Sequence, residues 1–139
     1  MGKHCETFEH TADVGLSAEA DSLGELMEEL AEGLADVICP RGQVRASDRR
    51  RVEATAEDVE ALTVDFLSEV MLAIQTLHFA VAAAKVTAAD EGYVAAELSG
   101  ERVDFARHEF HTEVKAVTYH QLRVARERGR WTARVILDI

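Results

Sequence analysis

Apolar residues recur at three- and four-residue intervals in two stretches of the chain and alternate with polar ones through much of the rest. Leu23, Leu26, Met27, Leu30, Leu34, Val37 and Ile38 form the first stripe. That spacing predicts an amphipathic helix with one face on a core. Ser22 and Glu25 stand at capping-box spacing before it, where each satisfies a free amide of the other. Pro40 and Gly42 stop it. Glu25, Glu28, Glu29, Glu32 and Asp36 fall off the stripe, and Met27 reads as core. The second stripe begins after Asp58 and runs through Val59, Leu62, Phe66, Val70, Ile74 and Leu77, widened by Leu67 and Met71. Asp65 and Glu69 are four residues apart and share a face of this helix; a solvated surface is the simpler reading, an acid–base pair the other. His78, at the helix end, is placed to offset the dipole.

The alternating stretches predict strands. His4 to His10 and Val14 to Ala20 flank a turn at Thr11-Ala12-Asp13. Gln43 to Thr55 reads as an edge strand with a basic start at Arg49-Arg50-Arg51, solvated rather than phosphate-binding. Phe79 to Ala88 and Tyr93 to Leu98 make a hairpin across Asp90-Glu91-Gly92. Val103 to Phe110 fits neither period. A closing hairpin joins Val117–Ala125 to Trp131–Asp138 through Glu127-Arg128-Gly129-Arg130, read as a loop longer than two residues with Gly129 at positive φ. Trp131, Ala133, Val135 and Leu137 fall on one face of the last strand, and Thr132, Arg134, Ile136 and Asp138 on the other. The order predicts an α+β fold: a mostly antiparallel sheet with two amphipathic helices packed against it.

Length and composition narrow the function. The 139 residues suggest one domain, spanning residues 1–139. A chain of this size buries roughly two-thirds of its unfolded surface. Apolar residues make up 47% and there is a single proline, which argues against disorder. The formal charge of -11 repels nucleic-acid phosphates, so stable direct RNA or DNA binding is not expected. A cation or a basic partner protein suits it better. Cys5 and Cys39, widely spaced and without a secretion signal, read as free thiols in a reducing compartment. Glu6 stands where a myristoylation motif needs Ser or Thr, and no apolar run is long enough for a bilayer. A cytoplasmic protein is expected.

Familiar catalytic signatures are missing. His108-Glu109-Phe110-His111 approaches a zinc-protease motif, but its histidines are three apart instead of four. There is no P-loop and no G-x-S-x-G, and neither cysteine has a recognisable nucleophile context. The chain's final residues are more suggestive. Asp138 and the carboxylate of Ile139 leave one strand end together. Two like charges about 4 Å apart repel by roughly 4 kcal/mol at an effective dielectric of about 20. Such a pair is served by water, by a cation or by a basic partner. If the turn at Asp13 lies alongside, three carboxylates converge; oxygen-only ligands suit Mg²⁺, Mn²⁺ or Ca²⁺. Asp13 alone reads as a turn residue bonded to its own backbone.

Glu9-His10-Thr11-Ala12-Asp13-Val14-Gly15, Glu113-Val114-Lys115-Ala116-Val117-Thr118-Tyr119-His120 and the Trp131–Ile139 ending together resemble the archease family over nearly the whole chain. No one of the three is specific; the set is. The resemblance implies metal binding by Asp13, Asp138 and Ile139, with His10, Lys115, Tyr119 and His120 at motif positions close by. Lys115 orients or neutralises the carboxylates, or is a surface lysine. The resemblance further implies a protein cofactor, not an enzyme, that speeds GTP-dependent guanylylation and multiple turnover of the RtcB-type RNA-splicing ligase of tRNA splicing. Two alternatives stand beside it. One is a metal-dependent hydrolase with His10 or His120 as base, and the other a general chaperone or modulator of RNA-processing enzymes.

Overall fold

The computed structural model describes residues 2–10 and 13–139, except for the side chains of Glu9 and His10. The chain runs β1 (His4–His10), β2 (Asp13–Ala20), α1 (Leu23–Ile38), a 3₁₀ turn (Arg41–Gln43), β3 (Asp48–Thr55), α2 (Val59–Gln75), β4 (Phe79–Asp90), β5 (Tyr93–Arg102), β6 (Ala116–Val117), β7 (Arg123–Glu127) and β8 (Arg130–Asp138). The expected α+β architecture is present, with its antiparallel strands divided between two sheets among the described residues. One sheet runs β1-β2-β8-β6, with β7 also on β8; the other runs β3-β5-β4.

Both helices start where the sequence says. The Ser22 hydroxyl accepts from the Glu25 amide at 3.1 Å, and the Asp58 carboxylate from the Ala61 amide at 2.8 Å, so each first turn has a bonded amide. The α1 stripe is buried from Leu23 to Ile38, against β2 on one side and β4 on the other. The α2 stripe is buried from Val59 to Ile74, but Leu77 is not part of it. The helix ends at Gln75, His78 takes φ 58°, and Leu77 turns out into solvent. His78 therefore belongs to the turn, where its carbonyl accepts from the Val103 amide at 2.7 Å, rather than to the helix end. Asp65 and Glu69 are exposed, the solvated face expected.

The acidic face of α1 has a use that periodicity does not reveal. β4 is an edge strand, with amides pointing away from β5. Glu32 accepts from the Ala84 amide at 3.0 Å and Glu28 from the Val86 amide at 2.8 Å. Their i, i+4 spacing on the helix matches alternate residues of the strand. Arg41 donates to the Ala82 carbonyl at 3.3 Å and pairs with Glu32 at 3.5 Å. Side chains thus close an edge that would otherwise pair with another chain. Glu28→Ala and Glu32→Ala are each expected to cost about 1–3 kcal/mol, the range for leaving an amide without its acceptor, measured by urea unfolding.

Two expectations about the last strands need correction. The stretch from Val117 to Ala125 is not continuous. The Thr118 amide and hydroxyl both bond the Ile136 carbonyl, at 3.1 and 2.9 Å. The chain then leaves β8 in a turn with Gln121 at φ 51° and returns as β7. The closing loop is a two-residue turn: Glu127 pairs with Arg130, and Arg128 and Gly129 take φ 54° and 79°. Positive φ at both central positions gives a twist that matches the strands.

Candidate metal centre

Register decides which side chains meet at the end of the first sheet. β2 and β8 are antiparallel, with Asp13 directly opposite Asp138. On the other side of each, His10 of β1 pairs with Asp13 and Ala116 of β6 pairs with Asp138. Opposed residues share a face, with Cβ atoms about 5 Å apart. Alternation sends Leu16, Ala18, Ala133, Val135 and Leu137 into the core, so Asp13 and Asp138 project from the opposite face. Asp13 is the first residue of β2; Thr11 and Ala12, the rest of the expected turn, lie outside the described residues.

The surroundings fix the Asp138 backbone. The Lys115 amide donates to the Asp138 carbonyl at 2.7 Å, while the Lys115 side chain is exposed. The preceding residue, Val114, is clamped by Gln75. The Gln75 amide group donates to the Val114 carbonyl and accepts from its N–H, both at 2.8 Å, imitating a strand partner. Sequence patterning missed Gln75 and Thr118; the only signal is a polar residue closing the apolar α2 stripe. Tyr119 and His120 are exposed in the turn that Thr118 anchors. Ile139 packs its side chain against the core and follows Asp138 directly. The His10 side chain lies outside the described residues.

The donor set is acidic and all-oxygen. Among the described residues no group of three or more His, Cys, Asp and Glu is placed to hold a metal ion. A cation at the Asp13–Asp138 pair would therefore draw further oxygens from Ile139, other main-chain carbonyls and water. Hard cations with flexible oxygen shells fit such a site, and zinc does not.

The outer face beside this row is also built. Phe8 lies opposite Gly15, and Gly15 opposite Ile136. A Cβ on Gly15 would fall 1.9 Å from the Phe8 ring, so the glycine lets the ring lie flat. The Arg134 guanidinium caps it at 4.3 Å, a cation–π contact.

His108 is no ligand. It is buried; Nδ1 accepts from the Asp104 amide at 2.9 Å, leaving Nε2 to donate to Glu101 at 3.1 Å. Glu101 also binds the Arg107 guanidinium at 2.5 Å and the Arg45 amide at 2.6 Å. Arg107 first, then the Arg45 amide, hold the Glu101 carboxyl down at about 2, against an ordinary 4.5. A depressed folded-state pKa gives stability that is present above the ordinary value and lost as pH falls to the depressed one. The stability advantage of wild type over Glu101→Gln should therefore shrink between pH 4.5 and about 2, as read from unfolding curves across that window. Cys5 and Cys39 are free. Burial pushes the Cys5 thiol up to about 12, so it is not an activated nucleophile. No helix of the described residues is long and apolar enough to cross a membrane.

Known proteins resemble this chain along nearly its whole length. The model of the archease protein family matches residues 5–139. Archease from Pyrococcus abyssi is 38% identical, with 99% of each chain covered, and archease from Methanopyrus kandleri is 38% identical, covering 96% of this chain and 98% of its own. A solution structure of a Methanobacterium thermoautotrophicum protein superposes with a TM-score of 0.80 at 34% identity over 99% of both chains. The crystal structure of a Thermotoga maritima archease, described as a possible chaperone, shares the fold with a TM-score of 0.62 at 21% identity over 96% of both. Matched over residues 5–139 by the family model and along nearly its whole length by curated relatives, this chain belongs to the archease family.

Proposed function

We propose that this protein is a cytoplasmic, non-catalytic activator of an RtcB-type RNA-splicing ligase, promoting its GTP-dependent guanylylation and repeated turnover. The observation that carries the reading is the direct pairing of Asp13 with Asp138 at one end of the sheet, on the face away from the core. Two carboxylates held by register in the middle of a four-strand row are half of a site for a hard cation. A divalent ion (Mg²⁺, Mn²⁺ or Ca²⁺) bound there would neutralise phosphate charge. The chain's own residues do the placing. Asp13 and Asp138 present oxygens, Ile139 adds one, and the Lys115 amide holds the Asp138 backbone. The charge of -11 steers the acidic tip toward a basic RNA-binding groove and favours brief association.

The test is multiple-turnover RNA joining by the ligase of the same organism with GTP and Mg²⁺ or Mn²⁺, adding this protein in catalytic amount. Wild type should stimulate and Asp138→Ala should not. Equal stimulation by both would remove the carboxylate pair from the mechanism. A general chaperone, by contrast, would suppress aggregation of unrelated proteins with or without Asp138.

A further inference from the structure

The loop between β5 and β6 displays apolar surface that the fold does not use. Phe105 is 69% exposed and Phe110 39%. Their rings stack with centroids 5.5 Å apart, and His78 meets Phe105 edge-on at 5.9 Å. Beside them a groove of about 550 Å³ reaches down to Ile38 and Ile74. The loop is not loose. Arg107 and His108 anchor it to Glu101, Arg107 also donates to the Gln43 carbonyl at 3.1 Å, and the His111 amide bonds the Ile38 carbonyl at 2.9 Å. A fastened loop that holds two phenylalanines in water is pre-organised for a contact. Rigid aromatic anchors beside a pocket concentrate binding energy and lose little entropy on docking.

Charge and position say what fills the groove. Of its lining residues Glu113 is charged and none is Lys or Arg; Glu109 stands next to His111, 3.3 Å from its ring nitrogen. A second copy of this chain would bring another charge of -11, and RNA would bring phosphates; both are repelled. The groove also adjoins the carboxylate pair. Glu113 lines it, and Lys115, two residues on and at most about 7 Å along the chain, donates its amide to Asp138. A partner that receives the carboxylate tip is within reach of the groove.

We propose that this groove is the surface by which the protein grips the RNA ligase. Its occupant is a protein segment of the ligase that carries an aliphatic side chain flanked by lysine or arginine. The inference rests on the activator reading above. The aromatics supply affinity and the carboxylate pair supplies stimulation, so the two can be separated.

The experiment measures direct binding to the ligase of the same organism, and stimulation against concentration, for wild type, Phe105→Ala, the double variant Phe105→Ser with Phe110→Ser, and Asp138→Ala. The phenylalanines are exposed, so a thermal melt should show the variants folded, and Phe105→Ala covers the case in which the double variant is not. The expected result is a weakening of binding by about tenfold or more for the double variant, a smaller loss for Phe105→Ala, and an unchanged plateau of stimulation. Asp138→Ala should bind like wild type and fail to stimulate. Added salt should weaken wild-type binding. Wild-type stimulation with undiminished binding by folded Phe variants would overturn the groove and leave the activator reading intact. Neither binding nor stimulation by wild type would overturn both. Salt-independent binding would overturn the basic occupant.

Discussion

A Gly100→Ala chain is expected to fail to reach the native state in useful yield. Gly100 sits in β5, the middle strand of its sheet, opposite Asp48 on one side and Val81 on the other. A Cβ there would lie 1.8 Å from the Ala80 carbonyl oxygen and 2.9 Å from its carbon. No non-bonded pair of heavy atoms approaches so closely, and the obstacle is backbone. Relief would require β4 to move away from β5 near the register shift at Val81/Ala83, breaking ladder bonds and the seal that α1 makes on β4. Overpacking a core by flexible side chains costs about 1–3 kcal/mol. With a main-chain carbonyl as the neighbour we expect more, a large share of the roughly 5–15 kcal/mol that stabilises a domain. The next residue, Glu101, anchors the loop carrying Phe105 and Phe110, so any protein that folds should also release that loop. Soluble yield and the urea midpoint are the measurements. Gly42→Ala, where nothing lies within 4 Å of the added carbon, is the control and should match wild type. A soluble Gly100→Ala protein with a wild-type midpoint would refute the packing described.

Asp138→Asn is expected to abolish ligase stimulation, by tenfold or more, in a protein that folds as well as wild type. Asparagine keeps the size and the strand backbone, so the Lys115 and Ala116 contacts of residue 138 persist. What changes is charge. Asp13 and Asp138 face each other across one strand pair, and removing either charge removes a like-charge repulsion. Without cation the variant should therefore be at least as stable as wild type. With cation the order should reverse. A ligand at ten times its dissociation constant adds about 1.4 kcal/mol to the folded state, so Mg²⁺, Mn²⁺ or Ca²⁺ should raise the wild-type melting temperature and leave that of Asp138→Asn unmoved. A variant that stimulates fully and shows the same cation shift would rule out the pair as a metal site. This separates a functional carboxylate from a structural one, because a structural residue loses stability and activity together.

What the sequence by itself determined is whatever depends on near neighbours. The stripes from Leu23 to Ile38 and Val59 to Ile74 made the helices, because a 3.6-residue period sorts apolar side chains to one side whatever they later pack against. Alternation in the second strand already put Val14, Leu16 and Ala18 on one face, and alternation in the last strand put Val135 and Leu137 on the face opposite Asp138. The stretches Glu9–Gly15, Glu113–His120 and Trp131–Ile139 together carried the resemblance. Only the tertiary structure decided how these pieces meet. That Asp13 faces Asp138, and not its neighbour, follows from strand register, which long-range pairing sets and a one-residue slip would invert. In the sequence Glu28 and Glu32 merely fall off the apolar stripe, yet they close the β4 edge, because an unpaired strand amide attracts an acceptor from any distance in sequence. Val117 to Ala125 reads as one strand until Thr118 spends both its donors on Ile136. Leu77, Phe105 and Phe110 are apolar but exposed, since nothing in their local spacing records that the core is already full when the chain reaches them.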